Sequence, residues 1–235
     1  MSQTDVVLQG IKAMITGGYL HAGSRLPIEK DLTEALGVSR GPLREGVRAL
    51  CIMGVLETRR GVGTFVTSLD SRLLLAPMGF MIDLQTPEDR HDLHVVRRLL
   101  ESEAAARAAL TITPERIAEA AALLEGVRSR VFADEDSDQE AILDADVAFH
   151  RLVAQASTSG PLAALVDALT DSTFTAPRAT GPRRAAQARR AHELHVGILH
   201  ALTQRDPDRA RLLMSRDLLA MEDDAGAGQT VDEKQ

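Results

Sequence analysis

The chain has 235 residues, 44% of them hydrophobic but only 3% aromatic and none Trp, so its core must be built from Leu, Ala, Val and Ile. That composition favours helices over sheets, and the length suits one large domain or two smaller ones. The single cysteine, Cys51, excludes an intramolecular disulfide and a Cys-rich zinc site, and reads as a small buried hydrophobe between Leu50 and Ile52. No run approaches 18 apolar residues and the first residues lack a charged segment followed by an apolar one, so the expected location is the cytoplasm, away from membranes. The net charge of −7 is unevenly spread. Residues 1–66 hold eight Lys/Arg against six acids, about +2, and leave about −9 for the rest. A local basic surface, not the total, governs contact with phosphate.

A first helix is predicted over residues 3–17, with Val6, Val7, Ile11, Met14 and Ile15 on one face and Gly17-Gly18 ending it. Leu26-Pro27 leads into a second helix over about 28–36, whose Glu29 and Asp31 suit the positive end of its dipole. Gly37 supplies a turn. Ser39 is placed to cap a third helix that runs to about Met53, with Pro42 in its first turn and Gly46 as a mid-helix cost of roughly 1 kcal/mol. A strand over 56–59, the turn Arg60-Gly61-Val62-Gly63 and a strand over 64–66 follow. This is the layout of a winged helix-turn-helix, which sets its second helix in the major groove of DNA.

The side chains at the start of that helix are Ser39, Arg40, Gly41 and Arg44. Arg40 and Arg44, four residues apart, project from one face, and arginine is the commonest reader of guanine. Lys30 and Arg60 can reach phosphate or the minor groove, and Gly61 permits close backbone approach. The stretch from Gly18 to Val66 resembles the DNA-binding domain of the GntR family of bacterial transcription regulators. The resemblance implies DNA contacts at Lys30, Ser39, Arg40, Gly41, Arg44, Arg60 and Gly61. Lys30 stands where the family has Arg, and Gly41 where a side chain is common.

Beyond the wing the signals are helical. Residues 69–86 read as a linker with a short apolar helix from Leu73 to Ile82. Further helices are predicted over 89–109, 114–131, 138–156, 161–175, 183–203 and 207–222. An acidic loop is expected at Asp134–Asp138, a basic stretch runs from Arg178 to Arg190, and a disordered acidic tail is expected over 223–235. Asp146 and His150 share a helix face; on residues alone they are either an ordinary helix-face pair or half of a chelate. His195 is either a satisfied core histidine or a ligand, and His192 and His200 read as structural or exposed.

The motifs Val96-Arg97-Arg98-Leu99-Leu100-Glu101, Asp146-Val147-Ala148-Phe149-His150 and His195-Val196-Gly197-Ile198-Leu199-His200-Ala201 resemble the FCD effector domain of the FadR-type branch of that family. The resemblance implies an all-helical bundle and a divalent metal held by Asp146, His150, His195 and Asp217, the last in place of a family histidine. Oxygen in that position moves preference from Zn toward Mn, Ni or Mg, unless the site has lost its metal. It also implies that Arg97 pairs with an effector carboxylate.

The expectation is therefore a mainly α protein. It has a winged helix-turn-helix over 1–68, a linker over 69–86 and an FCD-type ligand-binding and dimerisation domain over 87–222. Its function would be that of a homodimeric repressor of a double-stranded, imperfectly palindromic operator, responsive to a small organic acid. The rival readings are a metal-free regulator that responds to another partner and, in a different class, a metal-dependent enzyme with an accessory DNA head. No nucleophile-elbow, zinc-protease or phosphate-loop motif supports the latter, so the expectation is no enzyme.

Overall fold

A computed structural model describes residues 2–84, 86–133, 138–173 and 181–232. Two compact units divide it, residues 1–78 and 79–235. In the first unit α1 (Gln3–Thr16) opens with a capping box, in which Ser2 Oγ accepts from Asp5 N and Ser2 N donates to Asp5. Then come α2 (Glu29–Leu36), α3 (Arg40–Ile52), β1 (Leu56–Arg59) and β2 (Gly63–Val66). The strands pair antiparallel, Leu56 opposite Val66 and Arg59 opposite Gly63. A bridge from Arg25 to Phe65 adds a third short edge.

Val7, Ile11, Leu26, Leu32, Leu43, Leu50, Leu56 and Val66 form the core of this unit. Gly46 sits where α1 crosses α3, and a Cβ there would lie 2.6 Å from Val7 Cγ1. What the sequence presents as a helix-weakening residue is thus the close-packing point of the two helices. Cys51 is only partly buried, with Sγ 3.7 Å from Thr58 Oγ1.

The connecting helix α4 (Ser71–Asp83) is longer than the predicted 73–82 and carries Pro77 in its interior. Proline at 77 leaves the Leu73 carbonyl without its helical donor. That carbonyl lies against Gly54, where a Cβ would come within 2.3 Å of it.

The second unit holds α5 (Pro87–Thr111), α6 (Pro114–Val131), α7 (Gln139–Ala156), α8 (Gly160–Thr173), α9 (Gly181–Thr203) and α10 (Pro207–Asp232). The expected N-cap of α6 is present, with Thr113 Oγ1 accepting from Arg116 N. The helix α10 continues to Asp232, into the segment expected to be a disordered tail. Most of the expected acidic loop, residues 134–137, and Arg178 of the basic stretch lie outside the described residues.

The helix α5 packs against α7, α8, α9 and α10. Its buried Ala105, Ala108, Ala109 and Ile112 meet Phe149, Val153, Ile198, Leu202, Met214 and Leu218. Small alanines on the central helix let its neighbours approach closely. Among the described residues, no helix is long and apolar enough to cross a membrane.

Candidate functional site

Two sets of side chains stand out, one in each unit. In the first unit Lys30, Ser39, Arg40, Gly41, Arg44, Arg60 and Gly61 are all exposed. Ser39 holds the N-cap position of α3 in extended backbone, but its hydroxyl makes no capping bond, so the expected side-chain cap is absent. The hydroxyl therefore stays outside the helix. Gly61 takes φ +74°, and a Cβ there would meet nothing within 4 Å in the protein. The wing turn needs the left-handed conformation that glycine supplies without strain.

Arg44 makes a bidentate pair with Glu29 at the start of α2, Nε to Oε1 at 2.8 Å and Nη2 to Oε2 at 3.0 Å. The Arg44 guanidinium holds the Glu29 carboxyl below its ordinary range. The helix-turn-helix brings these two residues together across its turn, a pairing the sequence reading did not contain.

In the second unit each polar residue continues the apolar stripe of its helix. Arg97 and Glu101 precede Ala105 and Ala108 on α5, and His150 precedes Val153 on α7. His195 precedes Ile198 and Leu202 on α9, while Asp217 follows Ala210 and Met214 on α10. The helical repeat that packs the core therefore also converges these groups inside it. Arg97, Glu101, His150, His195 and Asp217 are all buried.

Ligand atoms of Asp146, His150 and His195 lie within 4.8 Å of one another. Asp217 Oδ2 is 3.2 Å from Nε2 of both histidines. It is hydrogen-bonded to His195, whereas His150 Nε2 has no hydrogen-bond partner among the described residues. Asp146 Oδ1 lies 3.5 Å from His195 Nε2. Phe149 stacks on the His195 ring at 4.6 Å between centroids.

Glu101 is the residue that sequence reasoning missed. It closes the FCD-like motif around Arg97, but nothing in the linear pattern assigns it a role. One of its oxygens accepts from Arg97 Nε and the other from His150 Nδ1. Arg97, expected to face an effector, is fully buried and engaged with Glu101. Burial would raise the Glu101 carboxyl, but Arg97 and His150 outweigh it and hold it low. Burial would likewise lower His150; its contacts with Glu101 and Asp217 instead raise it from 6.5 to about 10. Asp217 is held well below the carboxylate range because the two histidines overcome its burial.

With Nδ1–H donated to Glu101, a neutral His150 would turn its Nε2 lone pair toward the Asp217 carboxylate. Two acceptors at 3.2 Å repel unless a cation lies between them. A proton satisfies that need, and so does a divalent metal. The carboxylate behind Nδ1 is the arrangement that fixes a histidine's tautomer for coordination. The donor set therefore fits a metal. His192 is instead a structural residue, edge-on to Phe132, and His200 is exposed.

Comparison with known proteins assigns a family to the segment that carries each set. Residues 3–66 match the description "Bacterial regulatory proteins, gntR family", and residues 92–220 match the FCD domain. The Glc operon transcriptional activator of Escherichia coli K12 is 32% identical over 209 residues, 86% of this chain and 81% of that protein. The transcriptional regulator LutR of Bacillus subtilis 168 is 29% identical over 217 residues, 89% of this chain and 95% of its own. A solved structure of Streptococcus agalactiae GntR superposes with a TM-score of 0.64 at 25% identity, covering 94% of this chain and 99% of that one.

Proposed function

Because the chain belongs to the gntR family of bacterial regulatory proteins, carries an FCD domain and is a DNA-binding transcriptional regulator rather than an enzyme, we propose that its helical body senses a small organic acid through a divalent metal. We further propose that it works in the cytoplasm as a homodimeric repressor of an imperfectly palindromic operator. Two recognition helices related by a two-fold axis match such a site. Ser39, Arg40, Gly41 and Arg44 face the bases, while Lys30, Arg60 and Gly61 meet the backbone.

The observation that carries the sensing reading is the buried His150 Nε2, 3.2 Å from Asp217 Oδ2 and without a hydrogen-bond partner among the described residues. Asp146, His150 and His195 would hold the ion, with Asp217 as a further oxygen donor. When bound, the metal supplies a positive centre for a carboxylate ligand. Glu101 keeps the proton on His150 Nδ1, and Arg97 keeps Glu101 ionised and oriented. An entering carboxylate would meet a guanidinium already held in place. A second, metal-free reading has one supporting observation: His150, raised to about 10, can hold a proton in the ion's place at neutral pH.

The test is elemental analysis of untagged protein purified without chelator, followed by reconstitution with Mn, Ni and Zn. One metal per chain is expected, lost in His150→Ala and His195→Ala while operator binding without effector survives. No stoichiometric metal under any of these conditions overturns the metal reading. Transcription from an operator-bearing template should fall on adding the protein, and a rise would make it an activator.

A further inference from the structure

The outer surface of α5 carries an ordered strip of four residues, Leu99, Glu103, Arg107 and Leu110. Their spacings of four, four and three put them on one helix face. Leu99 is 63% and Leu110 65% exposed, which is unusual for leucines so placed. The charged pair between them is joined, Arg107 Nε to Glu103 Oε1 at 2.7 Å.

The strip continues on α10. The pairs Arg98–Glu222 and Glu103–Arg211, at 2.8 and 2.7 Å, show that α10 runs antiparallel to α5. Leu212, 61% exposed, therefore lies beside the charged centre, and Leu219 lies toward the Leu99 end. The two helices together make one apolar face with charges at its middle.

Read from either end, the α5 strip is apolar, charged, oppositely charged, apolar. A second copy laid antiparallel on it brings Leu99 opposite Leu110 and Glu103 opposite Arg107, twice. Self-complementarity of this kind is what a two-fold interface requires. We propose that the face formed by Leu99, Glu103, Arg107 and Leu110 of α5, flanked by Leu212 and Leu219 of α10, is the surface on which two copies of this chain associate. The inference rests on the homodimer proposed above and specifies its contact and register.

The experiment uses the full chain. Sedimentation of the parent should show a dimer, and Leu99→Arg/Leu110→Arg should weaken the dimer by at least about a hundredfold. Both positions are exposed, so the variant should keep the parent's circular dichroism, and its urea midpoint should match that of the parent diluted until its dimer has dissociated. In a Cys51→Ser background, a tagged Leu99→Cys chain mixed with an untagged Leu110→Cys chain should be joined by a short bismaleimide. Leu99→Cys alone should not cross-link, because its two copies would sit eleven residues apart along the helix, about 16 Å. A double-arginine variant that dimerises like the parent overturns this surface and leaves the homodimer standing. A parent that stays monomeric at all concentrations overturns both. Cross-linking of Leu99→Cys to itself in place of the mixed pair overturns the antiparallel register.

Discussion

The two units place their functional side chains in opposite surroundings. In the DNA-binding unit all seven candidate residues are exposed, and each can change without disturbing a core. In the FCD domain Arg97, Glu101, His150, His195 and Asp217 are buried, and the ionisation of Glu101, His150 and Asp217 is set by neighbours within the cluster. A surface site can thus be altered residue by residue, whereas a buried charged site binds function to stability. Replacing one member leaves an uncompensated charge where water cannot reach it.

The sharpest way to break this contrast is Glu101→Ala. It would strand Arg97 and take the acceptor from His150 Nδ1, at a cost of about 3–5 kcal/mol of stability measured by urea unfolding. An unchanged midpoint would mean the network is not a unit. Arg40→Ala is the counterpart. It should weaken operator binding by on the order of 1–3 kcal/mol and relax base preference, with no change in unfolding.

The pH response should differ by metal content. In chelator-treated protein His150 titrates at about 10 against 6.5 in the unfolded chain. Its folded pKa is raised, so its stabilising contribution is complete below 6.5 and is lost as pH rises toward 10. Metal-free melting temperatures should therefore fall across that window. With Mn the slope should flatten or reverse, since coordination needs the deprotonated Nε2 and tightens as pH rises. Identical slopes with and without metal would remove His150 from the ligand set. A smaller loss of stability than that of Glu101→Ala is expected for Gly61→Ala. Left-handed backbone at a non-glycine residue costs about 1–2 kcal/mol, and the new Cβ touches nothing in the protein. A drop in operator affinity under conditions where the variant is still fully folded would place the wing backbone at the DNA.

The wing and the helix-turn-helix were legible because glycines and prolines are local signals, and the boundaries of α2, α3, β1 and β2 fall within a residue or so of those predicted. The meeting of Asp146, His150 and His195 was expected from the four-residue spacing of the first two together with the FCD resemblance that adds the third. Glu101 was not, because its role comes from a helix 49 residues away in sequence. Gly46 was misread as a pure cost, since its benefit is the approach of Val7, a tertiary fact. The helical backbone of 223–232 was missed because Gly and Asp carry weak local helix propensity.

The Glu29–Arg44 pair bears on how the protein exchanges ions with its surroundings. DNA sheds condensed cations in proportion to the phosphates a protein neutralises. Arg44 already has a carboxylate counterion in bidentate contact within the same domain. It brings to the duplex a shaped donor but little unmatched charge. The head should therefore release fewer cations on binding than its basic side chains would suggest. Glu29→Gln would unmask that charge, steepening the dependence of log K on log salt by about one while loosening the orientation of Arg44. Tighter binding at low salt would then come with poorer discrimination between operators.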